Sequence, residues 1–146
     1  MSNAAMIIRE VEAFYRAFVD GFNREDAEVY LRSFSYPNAV LRGEHGITVH
    51  LKEAEQRQYY QTLMRALHME GWNHTSVGAL QVVPLTDSTA ILVVDITRSR
   101  KDKTPIENAR ICYTVRKDAA TWKILTLTDV KPPYSGPSPN SVSFPG

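Results

Sequence analysis

Proton-transfer chemistry at neutral pH needs a group that takes the proton and a group that stabilises the charge left behind, and two residues here have the types for it. Asp95 interrupts the strand-like face Ile91, Val93, Asp95 and Thr97. A buried carboxylate must be paired or have its pKa raised, so Asp95 stands either as a pocket base or as the partner of a basic side chain such as an arginine. Tyr15 lies among apolar residues at helical spacing. It is either a packing aromatic or, with its hydroxyl turned to a substrate, the donor to a developing oxyanion. Histidine is a common metal ligand, yet no two of His45, His50, His68 and His74 stand four apart on a helix and no acidic ligand spacing accompanies them, so no metal is expected. His45 falls in a turn and reads as exposed, while His74, just after Trp72, is a candidate for a pocket mouth. Cys112 shares a strand face with Arg110, Thr114 and Arg116, which would lower a thiol pKa, although a small, partly buried core residue is the plainer account. Arg98, Arg100, Lys101 and Lys103 around Asp102 read as a solvated hairpin tip, and Asp129 as a solvated strand end.

The elements that must position these groups follow from periodicity. Ile7, Ile8, Val11, Phe14, Tyr15, Phe18, Val19 and Phe22 recur at three- and four-residue steps, which predicts an amphipathic helix from Met6 to Phe22 with Gly21 as its stop. Asn23 before Arg24-Glu25-Asp26 reads as the N-cap of a second helix, with Ala27, Tyr30, Leu31 and Phe34 on its apolar face and Tyr36-Pro37-Asn38 ending it. Ala39 to Arg42 and Ile47 to His50 flank Gly43-Glu44-His45-Gly46 as a short hairpin. Tyr60, Leu63, Met64 and Leu67 then mark a third helix from about Lys52 to Met69. After Trp72 the period becomes strand-like, with runs near Thr75–Val83, Thr89–Arg98, Glu107–Arg116 and Thr121–Val130. Links this short favour an antiparallel meander. In the third run Ala109, Ile111, Tyr113 and Val115 alternate with more polar neighbours, whereas Ala90 to Ile96 is apolar on both faces apart from Asp95. A sheet with helices on one side should be wet on the other, so the second apolar face hints at a partner subunit.

Composition limits the function classes. In 146 residues, 43% hydrophobic and 23% charged, the chain has room for one domain of ordinary make-up. Seventeen Lys and Arg against sixteen Asp and Glu leave +1, which argues against nucleic acid as a partner. The longest apolar run of the strand region is Ala90 to Val94, far short of the roughly 20 residues a membrane helix needs, so no membrane role is expected. A lone Cys112 and the absence of a basic, apolar leader at Met1 to Ala5 point to a cytoplasmic protein. Residues 132–146, which hold five of the eight prolines and four serines, read as a flexible or extended tail.

Three stretches carry a resemblance. They are Ala13 to Ala27, with an aromatic helix, a break and an acidic restart; Ser88-Thr89-Ala90-Ile91-Leu92-Val93 before Arg98; and Trp122-Lys123-Ile124. In this order the chain resembles the nuclear transport factor 2-like superfamily over about Met6 to Val130, which includes ketosteroid isomerases and polyketide-cyclase-like proteins. The resemblance implies an α+β cone, three helices on a curved, mostly antiparallel sheet, with an enclosed pocket and dimerisation through the sheet's convex face. Tyr15 is similar to the tyrosine of the isomerase oxyanion site. The isomerase base position falls near Arg42 or Gly43 and the second acid near Arg110 or Ile111, none of them carboxylates. The aspartate-arginine-aspartate set of the superfamily's epoxide hydrolases is not carried over either, since the final-strand sequence is Trp122-Lys123-Ile124.

The expectation is therefore a domain over residues 6–131 that binds an apolar small molecule without a cofactor and forms a homodimer through its sheet. Its pocket would be walled by Phe18, Phe34, Tyr60, Leu63, Trp72, His74 and Tyr113, with Tyr15 and Asp95 as its polar groups. Two alternatives stand beside it: an isomerase, dehydratase or cyclase acting on an apolar ketone or polyketide-like substrate, and a dimerisation or protein-interaction module. An Asp95 that faces a cavity with Tyr15 favours the enzyme. An Asp95 paired with an arginine on the outer sheet face removes that role.

Overall fold

The computed structural model describes residues 2–136. Helix α1 spans Asn3–Asn23, with the Ser2 side chain accepting from the Ala5 amide at 3.2 Å as its N-cap. It passes straight through Gly21, which the sequence marks as a stop. The reason is close approach: a Cβ at Gly21 would lie 2.5 Å from Val29 Cγ1, so glycine lets α1 and the short α2 (Ala27–Arg32) touch. Asp26, not Asn23, caps α2, accepting from the Val29 amide at 3.2 Å. Asn23 instead behaves like a strand neighbour of Thr75, donating to its carbonyl at 2.9 Å and accepting from its amide at 2.8 Å.

Helix α2 ends before Phe34, which opens strand β1 (Phe34–Arg42) in register with Ile124. The strand is longer at its start than the apolar pattern predicts because Phe34 finds its burial against the sheet, between Phe18 and Tyr30. Strand β2 (Gly46–His50) and helix α3 (Glu53–Met69) follow, then β3 (Trp72–Thr86), β4 (Thr89–Arg100), β5 (Pro105–Asp118) and β6 (Thr121–Val130). The six strands lie in the order β2-β1-β6-β5-β4-β3, antiparallel except for the parallel β1–β6 pair. This is the α+β architecture expected, with three helices on one mixed sheet. Register breaks bend the sheet, notably in β3 between Val77 and Leu80, around Gly78.

Alternation on the central strands sorts the faces. Ala90, Leu92, Val94 and Ile96 of β4, with Tyr113 and Val115 of β5, are buried against the helices. Ile91, Val93, Asp95, Cys112 and Thr114 lie on the other side. The indole of Trp122 donates to Glu10 at 3.0 Å and Lys117 donates to the same carboxylate at 2.8 Å, which ties α1 to the far end of β6. No helix of the described residues is long and apolar enough to cross a membrane. Of the tail expected from residue 132, residues 137–146 lie outside the described residues. In the described part, Arg110 Nη1 donates to the Ser135 carbonyl at 3.0 Å.

Candidate functional site

Between α1 and the inner face of β4, β5 and β6 lies a cavity of about 110 Å³. Its apolar wall includes Phe18, Val19, Leu63, Ile96, Ile111 and Leu127, while Tyr15 and Tyr113 bring hydroxyls to it. Arg42, Arg98, Glu107, Asp129 and Lys131 add charged groups. Small-molecule pockets usually enclose roughly 300–1,000 Å³, and a dry cavity of roughly 150 Å³ holds benzene. The volume therefore suits a compact molecule of about one ring.

The cone is narrow because its aromatic residues pack on one another. Phe18 meets Tyr30 at 5.5 Å, Tyr30 meets Tyr60 at 4.5 Å and Phe22 meets Trp72 at 5.4 Å between ring centroids. Of the residues expected to wall a pocket, Tyr15, Phe18, Leu63 and Tyr113 touch the cavity. Phe34, Tyr60 and Trp72 belong to the packed core instead. The Trp72 indole is spent on Thr75, donating to Oγ1 at 3.0 Å. His74 is exposed on β3 and does not border the cavity.

At the cavity the Tyr15 and Tyr113 hydroxyls stand 3.2 Å apart, both buried. Burial pushes the Tyr15 pKa up to about 12, against the opposing hydrogen bond to Tyr113 and the nearby Arg98 charge. Burial likewise holds Tyr113 well above the usual phenol value. Both are therefore neutral donors at pH 7. Two hydroxyls carry two protons, and one is used within the pair. The other has no partner among the described residues.

Asp95 is separated from this pair. It borders a wider groove of about 500 Å³ on the other side of the sheet, with Thr97, Asn108, Val130 and Tyr134. Arg110, directly opposite on β5, grips it through Nε at 2.6 Å and Nη2 at 2.9 Å. That hydrogen-bonded guanidinium holds the carboxyl below the usual aspartate range. The structure thus corrects the placement of Asp95 beside Tyr15: alternation along β4 turns it away from Leu92, Val94 and Ile96, and it pairs with an arginine on the outer face.

Arg98, expected at a solvated tip, is the opposite case. It follows Ile96 by two residues, so it lies on the inner face, and its side chain is only 16% exposed. Its cross-strand partner Glu107 accepts from Nη1, and the buried Nε has no partner among the described residues. Asp129, expected to be solvated, also borders the cavity and accepts from the Gly43 amide at 3.1 Å. The signal for these residues was the register itself. Stepping by two from Ala109, Ile111 and Tyr113 reaches Glu107, and from Val94 and Ile96 reaches Arg98. Among the described residues, no group of three or more His, Cys, Asp or Glu gathers closely enough to hold a metal ion.

A family model described as NTF2-like protein (DUF6841) matches residues 9–132. No curated protein matches the chain. Among solved structures, a Nostoc punctiforme protein of unknown function with a cystatin-like fold aligns with TM-score 0.68 at 19% identity, over 86% of this chain and 91% of its own. An NTF2-like protein of unknown function from Pseudomonas putida aligns with TM-score 0.72 at 8% identity, over 86% and 87%. A ketosteroid isomerase-like protein from Erwinia carotovora atroseptica aligns with TM-score 0.62 at 16% identity, over 86% and 97%. At such identities the likeness is one of fold: the cystatin-like, NTF2-like cone.

Proposed function

We propose, from the premise that this chain belongs to the NTF2-like family whose model matches residues 9–132, that it is a small-molecule-binding protein whose ligand occupies the cavity between α1 and the inner sheet face. The observation that carries this reading is the hydroxyl pair of Tyr15 and Tyr113, 3.2 Å apart, with one O–H left to give beside an apolar wall. A buried donor without a partner costs stability, and a carbonyl or carboxylate oxygen on a ligand would satisfy it. The apolar body of such a molecule would rest against Phe18, Leu63, Ile111 and Leu127.

An isomerase, dehydratase or cyclase would need a base next to the same hydroxyls. Asp95 is on the far face and bound to Arg110, and the two carboxylates that border the cavity, Glu107 and Asp129, accept from Arg98 and from the Gly43 amide, so binding is the reading the geometry supports best. Homodimer formation through the outer face remains our proposal, supported by the half-buried Ile91, Cys112 and Thr114, which present an uncharged surface there around the buried Val93. Sedimentation at micromolar concentration should show a dimer; a monomer alone counts against it. A cytoplasmic location is likewise proposed, on the single cysteine, and cell fractionation checks it.

The binding claim is tested by a thermal-shift screen of one-ring and short branched compounds. A ligand at 100 times its Kd stabilises by about 2.7 kcal/mol. Compounds that raise the Tm of the wild-type protein should lose that effect in Ala109→Leu, where the larger side chain fills the cavity. A shift retained in full by this variant would place binding elsewhere.

A further inference from the structure

The same sheet holds two arginines, Arg98 and Arg110, each directly opposite an acidic residue, and they are used differently. Arg110 spends its side-on edge, Nε and Nη2, on both oxygens of Asp95. Arg98 gives Nη1 to Glu107, while its Nε is buried without a partner among the described residues. A guanidinium cannot shed its charge, so a mostly buried one with an unpartnered Nε is held at a cost unless something completes it. The group that completes a side-on fork is a planar anion with two oxygens, as Asp95 does for Arg110.

Charge at the cavity agrees. Arg42, Arg98 and Lys131 border it against the carboxylates Glu107 and Asp129, while the Arg110 guanidinium is spent on Asp95 and the Ser135 carbonyl. Asp129 accepts from the Gly43 amide, and Arg42 donates to the Tyr59 hydroxyl at 3.0 Å rather than to a carboxylate. A chain with a net charge of only +1 thus gathers a cationic excess around an apolar hollow. The Arg98 charge also lies near enough to Tyr15 and Tyr113 to draw down the pKa of both hydroxyls against their burial.

We infer that the ligand of this pocket is a small monocarboxylate of about one ring, its carboxylate shared between the Arg98 guanidinium and the unspent tyrosine O–H. This rests on the small-molecule reading above and narrows it to an acid. Glu107 is then the competitor that occupies Arg98 when the pocket is empty, and the ligand carboxylate joins or replaces it.

Isothermal titration calorimetry of the full chain with benzoate, benzamide and benzyl alcohol tests this. The three share a ring and differ in charge. Benzoate should bind at least about tenfold more tightly than either neutral compound, the scale of a charge-assisted hydrogen bond. Arg98→Gln should erase that preference. Glu107→Gln, a change at a partly exposed side chain, should tighten benzoate several-fold by freeing Nη1 and removing a repelling charge. Equal binding of all three compounds, or a Glu107→Gln protein that binds benzoate no better than wild type, would overturn the carboxylate assignment and leave the small-molecule site standing. No binding of any of the three at millimolar concentration would overturn both.

Discussion

Replacing either member of the tyrosine pair should cost stability, and replacing both should cost less than the two losses together. The hydroxyls of Tyr15 and Tyr113 are 3.2 Å apart, and the residues are 1% and 3% exposed, so one hydroxyl donates to the other where bulk water does not reach. Tyr15→Phe removes a hydrogen bond worth about 1 kcal/mol net and leaves Tyr113 with an unpaired oxygen, a penalty of about 1–3 kcal/mol that water in the adjacent cavity partly relieves. The expected loss is about 1–2 kcal/mol for each single variant, a Tm drop of roughly 3–8 °C at this chain length. In the double Phe variant no orphaned hydroxyl remains, so the loss should fall short of the sum by about 1 kcal/mol or more. Urea unfolding at pH 7, followed by the fluorescence of the buried Trp72 and Trp122, measures all four corners of the cycle. Single-variant losses that add within about 0.5 kcal/mol would refute a hydrogen bond shared by the two hydroxyls.

Gly21→Ala should destabilise by about 1–2 kcal/mol even though alanine is the better helix former, because its Cβ would meet Val29 Cγ1 at 2.5 Å; adding Val29→Ala should recover part of the loss in the same urea assay. Burial lowers the His50 pKa below 6.5, against the opposing influence of Glu55 and Gln56, so the unfolded state binds the proton more tightly. Stability should therefore fall as pH drops below about 6.5 until the folded value is passed, and His50→Gln should flatten that slope between pH 7 and 5. Asp95→Asn should leave benzoate affinity within about twofold of wild type in calorimetry, since the sheet separates Asp95 from the cavity; a tenfold loss would return Asp95 to the site.

Much of the architecture was legible because amphipathic periods are long and unambiguous in α1, α3 and β5. What escaped was local. Gly21 reads as a helix stop in one dimension, and only the position of Val29 in three shows it as a contact. Phe34 continues the 3.6-residue pattern of α2, but its burial against Phe18 and Tyr30 wins and starts a strand. The site was half legible. Tyr15 and Tyr113 stood out as aromatics on buried faces, whereas β4 is apolar on both sides, so hydropathy did not say which way Asp95 points. Charge then misled twice: Arg98 and Asp129 look like surface residues by type, yet strand alternation carries both to the cavity. The cavity is smaller than an open cone would suggest because ring-on-ring packing of Tyr30, Tyr60, Phe22 and Trp72 is a property of the folded arrangement.

The central claim, a small-molecule site built on Tyr15, Tyr113 and Arg98, is tested most directly by following the arginine Nε–H and backbone amide signals in a ¹H–¹⁵N spectrum during benzoate titration. The Arg98 Nε–H signal and the amides of Ile96 and Ile111 should shift and saturate together, while the Arg110 Nε–H, already bound to Asp95, stays in place. Shifts confined to Arg110 and the outer face, or none at millimolar benzoate, would contradict it.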